Sequence, residues 1–494
     1  MSLKKNVIAN YLGQGWTALM GIAFVPLYIN YLGMEAYGLI GVYAMLQAWL
    51  TLLDMGMTPT LNREMARYTA GAHNAQSIRD LLRSLEVVCI AIAMLIGIVI
   101  WLLASWLATH WLLVEKLPLE KVAQAIEIIG LVVALRFVES LYRGAVIGLQ
   151  KQVWLSAAGS GLATLRWGGA VCVLAWVTSS IEAFFIWQGL VSLVTIFVFA
   201  IAVHRHLPDS DEPPRFSWQQ LQTVWKFAGG MMATTLLVLL LMQVDKIILS
   251  RMLSLEMFGY YILAGTVASV LYQLTGPITQ AYYPRFTELV TKGETSGLIT
   301  IYHQAAQLIT VLVVPAALML IFFGERVLTL WTGNSVLAHN VAPVMALLAL
   351  GTMLNSLMHI PYMLTLAYGW PGFAVRQNAV AVLLLVPAII LVAPRYGAIG
   401  AAWIWIILNG GYVLVGIHFM HTRLLPKEKW RWYREDVALP GLISALVALL
   451  CWYIVPGVGT KFAECIWLLT SGIIILAATW LITRKTRQWR INHS

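Results

Sequence analysis

The stretch YLGMEAYGLI, Tyr31 to Ile40, returns far downstream as MLSLEMFGYYI, Met252 to Ile262. Leu32, Glu35, Tyr37 and Gly38 align with Leu253, Glu256, Phe258 and Gly259 at a constant offset of 221. Two later matches keep the order. Thr109 and Trp111 align with Thr329 and Trp331 at offset 220, and Arg205, Leu207 and Pro208 of HRHLP align with Arg423, Leu425 and Pro426 of TRLLP at 218. Insertions move an offset gradually, whereas chance matches do not fall in order. The chain therefore reads as two copies of one unit.

What the unit consists of follows from composition. The 494 residues are 60% hydrophobic and only 11% charged, with a mean hydropathy of +0.79, outside the range of soluble globular proteins. A bilayer core ~30 Å thick takes about 20 apolar residues of helix to cross. Fourteen such runs are centred near residues 19, 46, 95, 135, 165, 192, 239, 270, 312, 354, 382, 408, 447 and 473. In lipid every backbone polar group must be satisfied within the chain, so runs this long and continuous are helices. The fold class is an all-α polytopic membrane protein.

The charge has a location. With the N-terminus in the cytoplasm, 20 of the 32 Lys and Arg residues fall on the cytoplasmic side. Six lie outside (Lys116, Lys121, Arg251, Arg326, Arg395, Lys461), and six lie within spans or at their edges. That asymmetry satisfies the positive-inside rule, and the inverted topology reverses it. The net charge of +10 thus reports topology and attraction to anionic lipid heads, not nucleic-acid binding. The N-terminus lacks a small-residue cleavage site after a brief apolar region, so the first helix reads as retained. Cys89, Cys172, Cys451 and Cys465 all lie in apolar runs without metal-ligand spacing, and read as ordinary lipid- or core-facing side chains.

The repeat and the spans together give boundaries. Each copy holds six helices. Six is even, so both copies enter from the same side and are parallel halves related by an axis along the membrane normal. Residues 1–206 form the first lobe, 207–225 a charged, proline-containing cytoplasmic linker, and 226–424 the second lobe. Residues 425–494 supply a cytoplasmic loop, two further helices and a basic tail, with both termini cytoplasmic.

The opening segment NVIANYLGQGWTALMGIAFVPLYINYLGMEAYG (6–38) carries a Pro-x-Tyr followed by a Leu-Gly-x-x-x-Tyr-Gly turn. It resembles polysaccharide flippases of the multidrug/oligosaccharidyl-lipid/polysaccharide exporter superfamily. The segment LLDMGMTPTLNREMARY (52–68) and the plan of six, six and two helices resemble the same family. The resemblance implies that a polyprenyl-pyrophosphate-linked oligosaccharide is moved across a bacterial inner membrane by alternating access, for O-antigen or similar polysaccharide. It implies lipid-linked oligosaccharide, membrane lipids and other polysaccharide-assembly membrane proteins as partners, and no cofactor.

Ionisable groups at membrane depth are costly and mark pathways. Arg136, Glu139 and Arg143, at i, i+3 and i+7, share one face of the fourth helix, and Arg166 lies near the middle of the fifth. Guanidinium groups match the oxygens of a pyrophosphate with paired donors. The alternative is that Glu139 neutralises Arg136 and Arg143 within the bundle. Asn6, Asn10, Gln14 and Thr17 make a polar stripe on the first helix, suited to a wet, sugar-binding cleft or to hydrogen bonds between helices. In the second lobe Gln243, Lys246 and Gln273 are cavity candidates. Asp245 and Asp54 are candidates for carrying a coupling H+ or Na+, with a static salt bridge as the alternative.

Two other classes compete. A membrane polymerase or ligase needs convergent acid/base groups on a sizeable outer loop; the longest outer loop, about Gly324 to Asn340, is short, and no triad, metal cluster or paired carboxylate is legible. A cation-coupled multidrug exporter of the same fold is expected to use a carboxylate-rich cavity, whereas Arg136, Arg143 and Arg166 favour an anionic substrate.

Overall fold

The computed structural model describes residues 3–54, 56–69, 74–207, 212–454 and 460–491, with side chains described except those of 3–10, 220, 223–234 and 485–491. Asn6 and Asn10 therefore lie outside the described side chains. Among the described residues the regular structure is all helical, with one isolated bridge between Leu113 and Ser254. Among the described residues ten segments are long and apolar enough to cross a bilayer. One of them, Pro371–Leu424 with 54 residues, is far longer than the ~30 Å core requires. It breaks at Gly397, whose φ of 55° and ψ of −139° are not helical, so it holds two spans. Leu119–Gly148, Gln152–Trp176 and Trp218–Met252, at 30, 25 and 35 residues, bring the total among the described residues to fourteen. Each contains one of the centres read from the sequence.

Local chemistry sets the ends of these helices. Asn74, Ser180 and Asn334 accept hydrogen bonds from the amides of Ser77, Ala183 and Leu337 at 2.7, 3.2 and 3.0 Å, the standard N-cap arrangement. The first span is broken at Phe24, because Pro26 in the first turn of Val25–Leu32 carries no N–H for the preceding turn. Tyr28, the last residue of the Pro-x-Tyr, is then buried edge-on against Phe184 and donates its hydroxyl to the Trp167 carbonyl at 2.5 Å.

Packing divides the chain into two compact units, Met1–Gly259 and Tyr260–Ser494. The first unit includes Trp218–Met252, which packs on Met34–Leu53 and Ala75–Trp106. In this unit the two copies of the repeated turn lie against each other. A Cβ on Gly38 would sit 2.3 Å from the Leu255 carbonyl oxygen, and one on Gly259 would sit 2.7 Å from the Met34 carbonyl. Met34 and Leu255 are themselves equivalent at offset 221, so the contact is reciprocal, and only glycine allows backbones this close. The repeated acids share one loop: Glu35 accepts from the amides of Glu115, Lys116 and Leu117 at 2.6, 2.9 and 2.7 Å, and Glu256 is ion-paired with Lys116.

Equivalent docking also recurs inside each unit. In the first, the segment before Trp218 is held by Arg215 N to Asp80 Oδ1 and Ser217 N to Ser84 Oγ, both 2.8 Å. In the second, residues 428–436 are held on Thr295–Thr332 by charged side chains. His303 is buried, with Nε2 2.9 Å from Glu428, Nδ1 bonded to Asp436, and Gln307 donating to Asp436 at 3.0 Å. With a proton on each nitrogen the ring donates to both carboxylates. Burial acts to raise the Glu428 carboxyl, but the bonds and charges of His303 and Arg431 outweigh it and hold the group below its ordinary value.

Candidate functional site

The cluster forms in the first unit, and its members come from four helices. Arg136 and Glu139 lie on Leu119–Gly148, Arg166 on Gln152–Trp176, Ser192 and Thr195 on Ile181–His206, and Tyr43 and Gln47 on Met34–Leu53. Glu139 is its hub. One oxygen accepts from Arg136 Nη1 and the other from Arg166 Nη2, each at 2.9 Å. Arg166 also donates to Ser192 Oγ at 2.9 Å and Thr195 Oγ1 at 3.4 Å. Gln47, with its amide oxygen turned toward Arg136, accepts from Nη2 at 3.2 Å and from Nε, and Tyr43 completes the bonding of that guanidinium.

The two arginines are not equivalent. The Arg166 side chain is 6% exposed and Glu139 8%, whereas Arg136 is 27% exposed. Arg166 spends its terminal donors on the protein and anchors Glu139. Arg136 stands at the accessible edge. One carboxylate set against two guanidinium groups leaves the buried cluster net positive. Seven residues along the same helix, about 10 Å away, Arg143 is exposed, and no ion pair reaches it among the described residues. The arrangement offers one partly open cation backed by a fixed ion pair, with a second, exposed cation on the same helix: a place where an oxyanion replaces lost hydration with charge-assisted hydrogen bonds.

The other candidates are spread out. Gln14 is exposed on the first helix, which packs on the Arg166 helix through Trp16 Nε1 to Thr164 Oγ1 at 2.9 Å. Gln243 is half-buried. Lys246 is 3.3 Å from both Asp245 oxygens and donates to the Met242 carbonyl at 2.7 Å. Adjacent helical residues point about 100° apart, and the long lysine stem spans that angle. Asp54, just past the end of Met34–Leu53, is engaged by the start of the next helix, Met57–Thr69, accepting from Thr58 Oγ1 at 2.6 Å and Thr58 N at 3.2 Å. Gln273 is exposed in the second unit. Among the described residues no group of three His, Cys, Asp or Glu side chains is placed to hold a metal ion.

Sequence reading missed Tyr43, Gln47, Ser192 and Thr195. The available signal was spacing: Tyr43 and Gln47 are four apart, Ser192 and Thr195 three apart, each pair on one helical face of an otherwise apolar span. Gln188, one turn before Ser192, is buried with neither amide atom hydrogen-bonded. An unsatisfied amide costs about 1–3 kcal/mol, so this face of the helix is under-satisfied around the cluster.

Three comparisons bear on the site. The profile of the family described as "Polysaccharide biosynthesis protein" matches residues 3–290, more than half of the chain. The "Putative O-antigen transporter" of Shigella flexneri is 19% identical over 409 residues, covering 82% of this chain and 94% of the relative. The structure titled "Lipid II flippase MurJ, inward closed conformation" superposes with a TM-score of 0.72 at 12% identity, over 97% of this chain and 99% of that one. An inward-facing MATE multidrug transporter of the MOP superfamily superposes at 0.62 and 12% identity, over 87% and 96%. At such identities these structural likenesses speak for the fold alone.

Proposed function

Because the chain belongs to the polysaccharide biosynthesis protein family, we propose that it is a flippase. Its substrate is a polyprenyl-pyrophosphate-linked oligosaccharide, carried across the bacterial inner membrane for O-antigen or a similar surface polysaccharide. It works by alternating access between two homologous lobes, residues 1–206 and 226–424, with both termini in the cytoplasm. The observation that carries the reading is the net-positive cluster of Arg136, Glu139 and Arg166, with Arg143 beyond it unpaired among the described residues. A cation without an anionic partner costs roughly 2.5–3.5 kcal/mol at a helix centre, and a pyrophosphate arriving at Arg143 and then Arg136 offsets that cost while it is bound. Arg166 and Glu139 hold Arg136 in position. Hydroxyl-rich sugars occupy the wet cleft to which Gln14 belongs, and the polyprenyl tail stays in lipid. The MATE-like fold also suits a cation-coupled multidrug exporter, but an excess of guanidinium groups favours an anion over a cationic drug.

The test is complementation in a strain lacking this gene, reading surface polysaccharide. Arg136→Ala and Arg143→Ala, present at wild-type levels, should each lose most transport. Lys at position 136 keeps charge but loses paired donors, and should retain part of it. Full restoration by both Ala variants would return the cluster to a purely structural role.

A further inference from the structure

The second unit contains an apolar cleft unrelated to the arginine cluster. It lies between the two limbs of Pro371–Leu424, which diverge from the kink at Gly397. Small side chains line its floor (Ala381, Ala388 and Gly411), leaving a cleft of about 630 Å³. Val380, Leu384 and Ile407 on its rim are 56, 65 and 69% exposed, so it opens sideways at the protein surface. In a span, sideways means toward lipid. From Phe373 to Ala388 the floor runs about 22 Å at 1.5 Å per residue, somewhat more than the ~15 Å of one leaflet's hydrocarbon.

Polar groups gather at one end only. There Gln377 packs on Gly416, where a Cβ would meet its Nε2 at 2.3 Å, and Tyr412 donates to Asn378 Oδ1 at 3.1 Å. Arg376 lines the same end. Beside it Phe373, also in the lining, stacks on Trp370 with ring centroids 4.5 Å apart, and Arg423 stands over Trp370 at 4.1 Å. Neither Arg376 nor Arg423 is ion-paired among the described residues. A long apolar slot open to lipid, with Arg376 in its lining and Arg423 one aromatic stack away over Trp370, neither paired with a carboxylate among the described residues, matches one molecule: a phospholipid with an anionic head.

We propose that this cleft is a binding site for one anionic phospholipid, with an acyl chain along Ala381 and Ala388 and the phosphate between Arg376 and Arg423. Burying a chain here gains nothing from the hydrophobic effect, since lipid is already apolar; it gains the contacts an empty slot lacks. Selection for head charge therefore falls to the arginines. A polyprenyl chain, longer than the slot, fits it poorly, which separates this site from the one that takes the transported lipid.

The experiment uses the full chain purified in mild detergent and equilibrated with equal amounts of phosphatidylglycerol and phosphatidylcholine. Native mass spectrometry reads the lipids retained. One phosphatidylglycerol per chain should be kept in preference. Arg376→Ala and Arg423→Ala should each reduce that preference roughly fivefold. Ala388→Phe, which fills the slot and leaves both arginines in place, should abolish retention. Equal retention of both lipids by the parent, or unchanged preference in a folded Arg376→Ala/Arg423→Ala double variant, overturns the proposal. So does displacement of the retained phosphatidylglycerol by polyprenyl phosphate when the two compete. Surface polysaccharide restored by Ala388→Phe leaves the flippase reading intact, so the two can fail separately.

Discussion

At the scale of single residues, burial separates two arginines that look alike in the sequence. Arg166 is nearly sealed and tied to Glu139, Ser192 and Thr195. Removing one partner of a buried ion pair strands the other charge, at a cost of about 3–5 kcal/mol. Arg136 is partly open, and exposed pairs contribute about 1 kcal/mol or less. Arg166→Ala should therefore lower the thermal midpoint of the detergent-solubilised protein clearly, while Arg136→Ala stays within a few degrees of the parent. Arg166→Lys should recover only part of the loss, because a single compact ammonium nitrogen does not span the two guanidinium nitrogens that reach Ser192, Thr195 and Glu139. Thermal unfolding followed by tryptophan fluorescence decides it. The reverse order would mean that Arg136, and not Arg166, anchors the carboxylate.

At the scale of elements, the repeated turn explains why its glycines recur. Glycine inside a helix normally costs about 1 kcal/mol relative to alanine, so Gly→Ala in a helix is expected to stabilise. Gly38 and Gly259 reverse that sign, since an added methyl would press on the Leu255 or Met34 carbonyl oxygen. Gly38→Ala and Gly259→Ala should each reduce folded yield and thermal midpoint. Gly15→Ala, on a helix where nothing lies within 4 Å of the new Cβ, should not. Size-exclusion profiles of the three variants check this; a Gly38→Ala protein as monodisperse and stable as the parent would mean the two turns separate readily. The same repetition appears at the connecting segments, where one unit uses backbone amides on Asp80 and Ser84 and the other uses His303 between two carboxylates. Equivalent docking has been kept with different chemistry.

At the scale of the whole molecule, the charge asymmetry makes a topological statement. A cysteine placed at Asn74, Asp209 or Lys429 should react only with reagent supplied from the cytoplasm, and one at Asn334 only from outside. Labelling of Asp209 and Lys429 from opposite sides would sink the parallel-repeat topology, which requires equivalent linkers on the same face. The contact of Gly38 with Leu255 and of Gly259 with Met34 agrees with equivalent turns at one depth.

Span positions were legible because each depends only on its own stretch of chain. About 20 apolar residues meet the bilayer thickness wherever they occur, and this held even for Leu119–Gly148, whose charges Arg136, Glu139 and Arg143 dilute its apolarity. The repeat was legible for a similar reason, since an offset between aligned residues needs no folded structure. Which polar side chains meet was not. Gln47 reaches Arg136 across 89 positions, and Ser192 reaches Arg166 across 26. Such meetings depend on the rotation of each helix about its axis. In a soluble protein the apolar stripe reveals that rotation, but a membrane helix is apolar on its lipid face and its packed face alike, so small residues and close packing set it instead. The sequence by itself determined the class, the spans and the duplicated plan; only the tertiary structure decided that Arg166 is the anchor, that Arg136 is the accessible cation, and that Glu139 serves both.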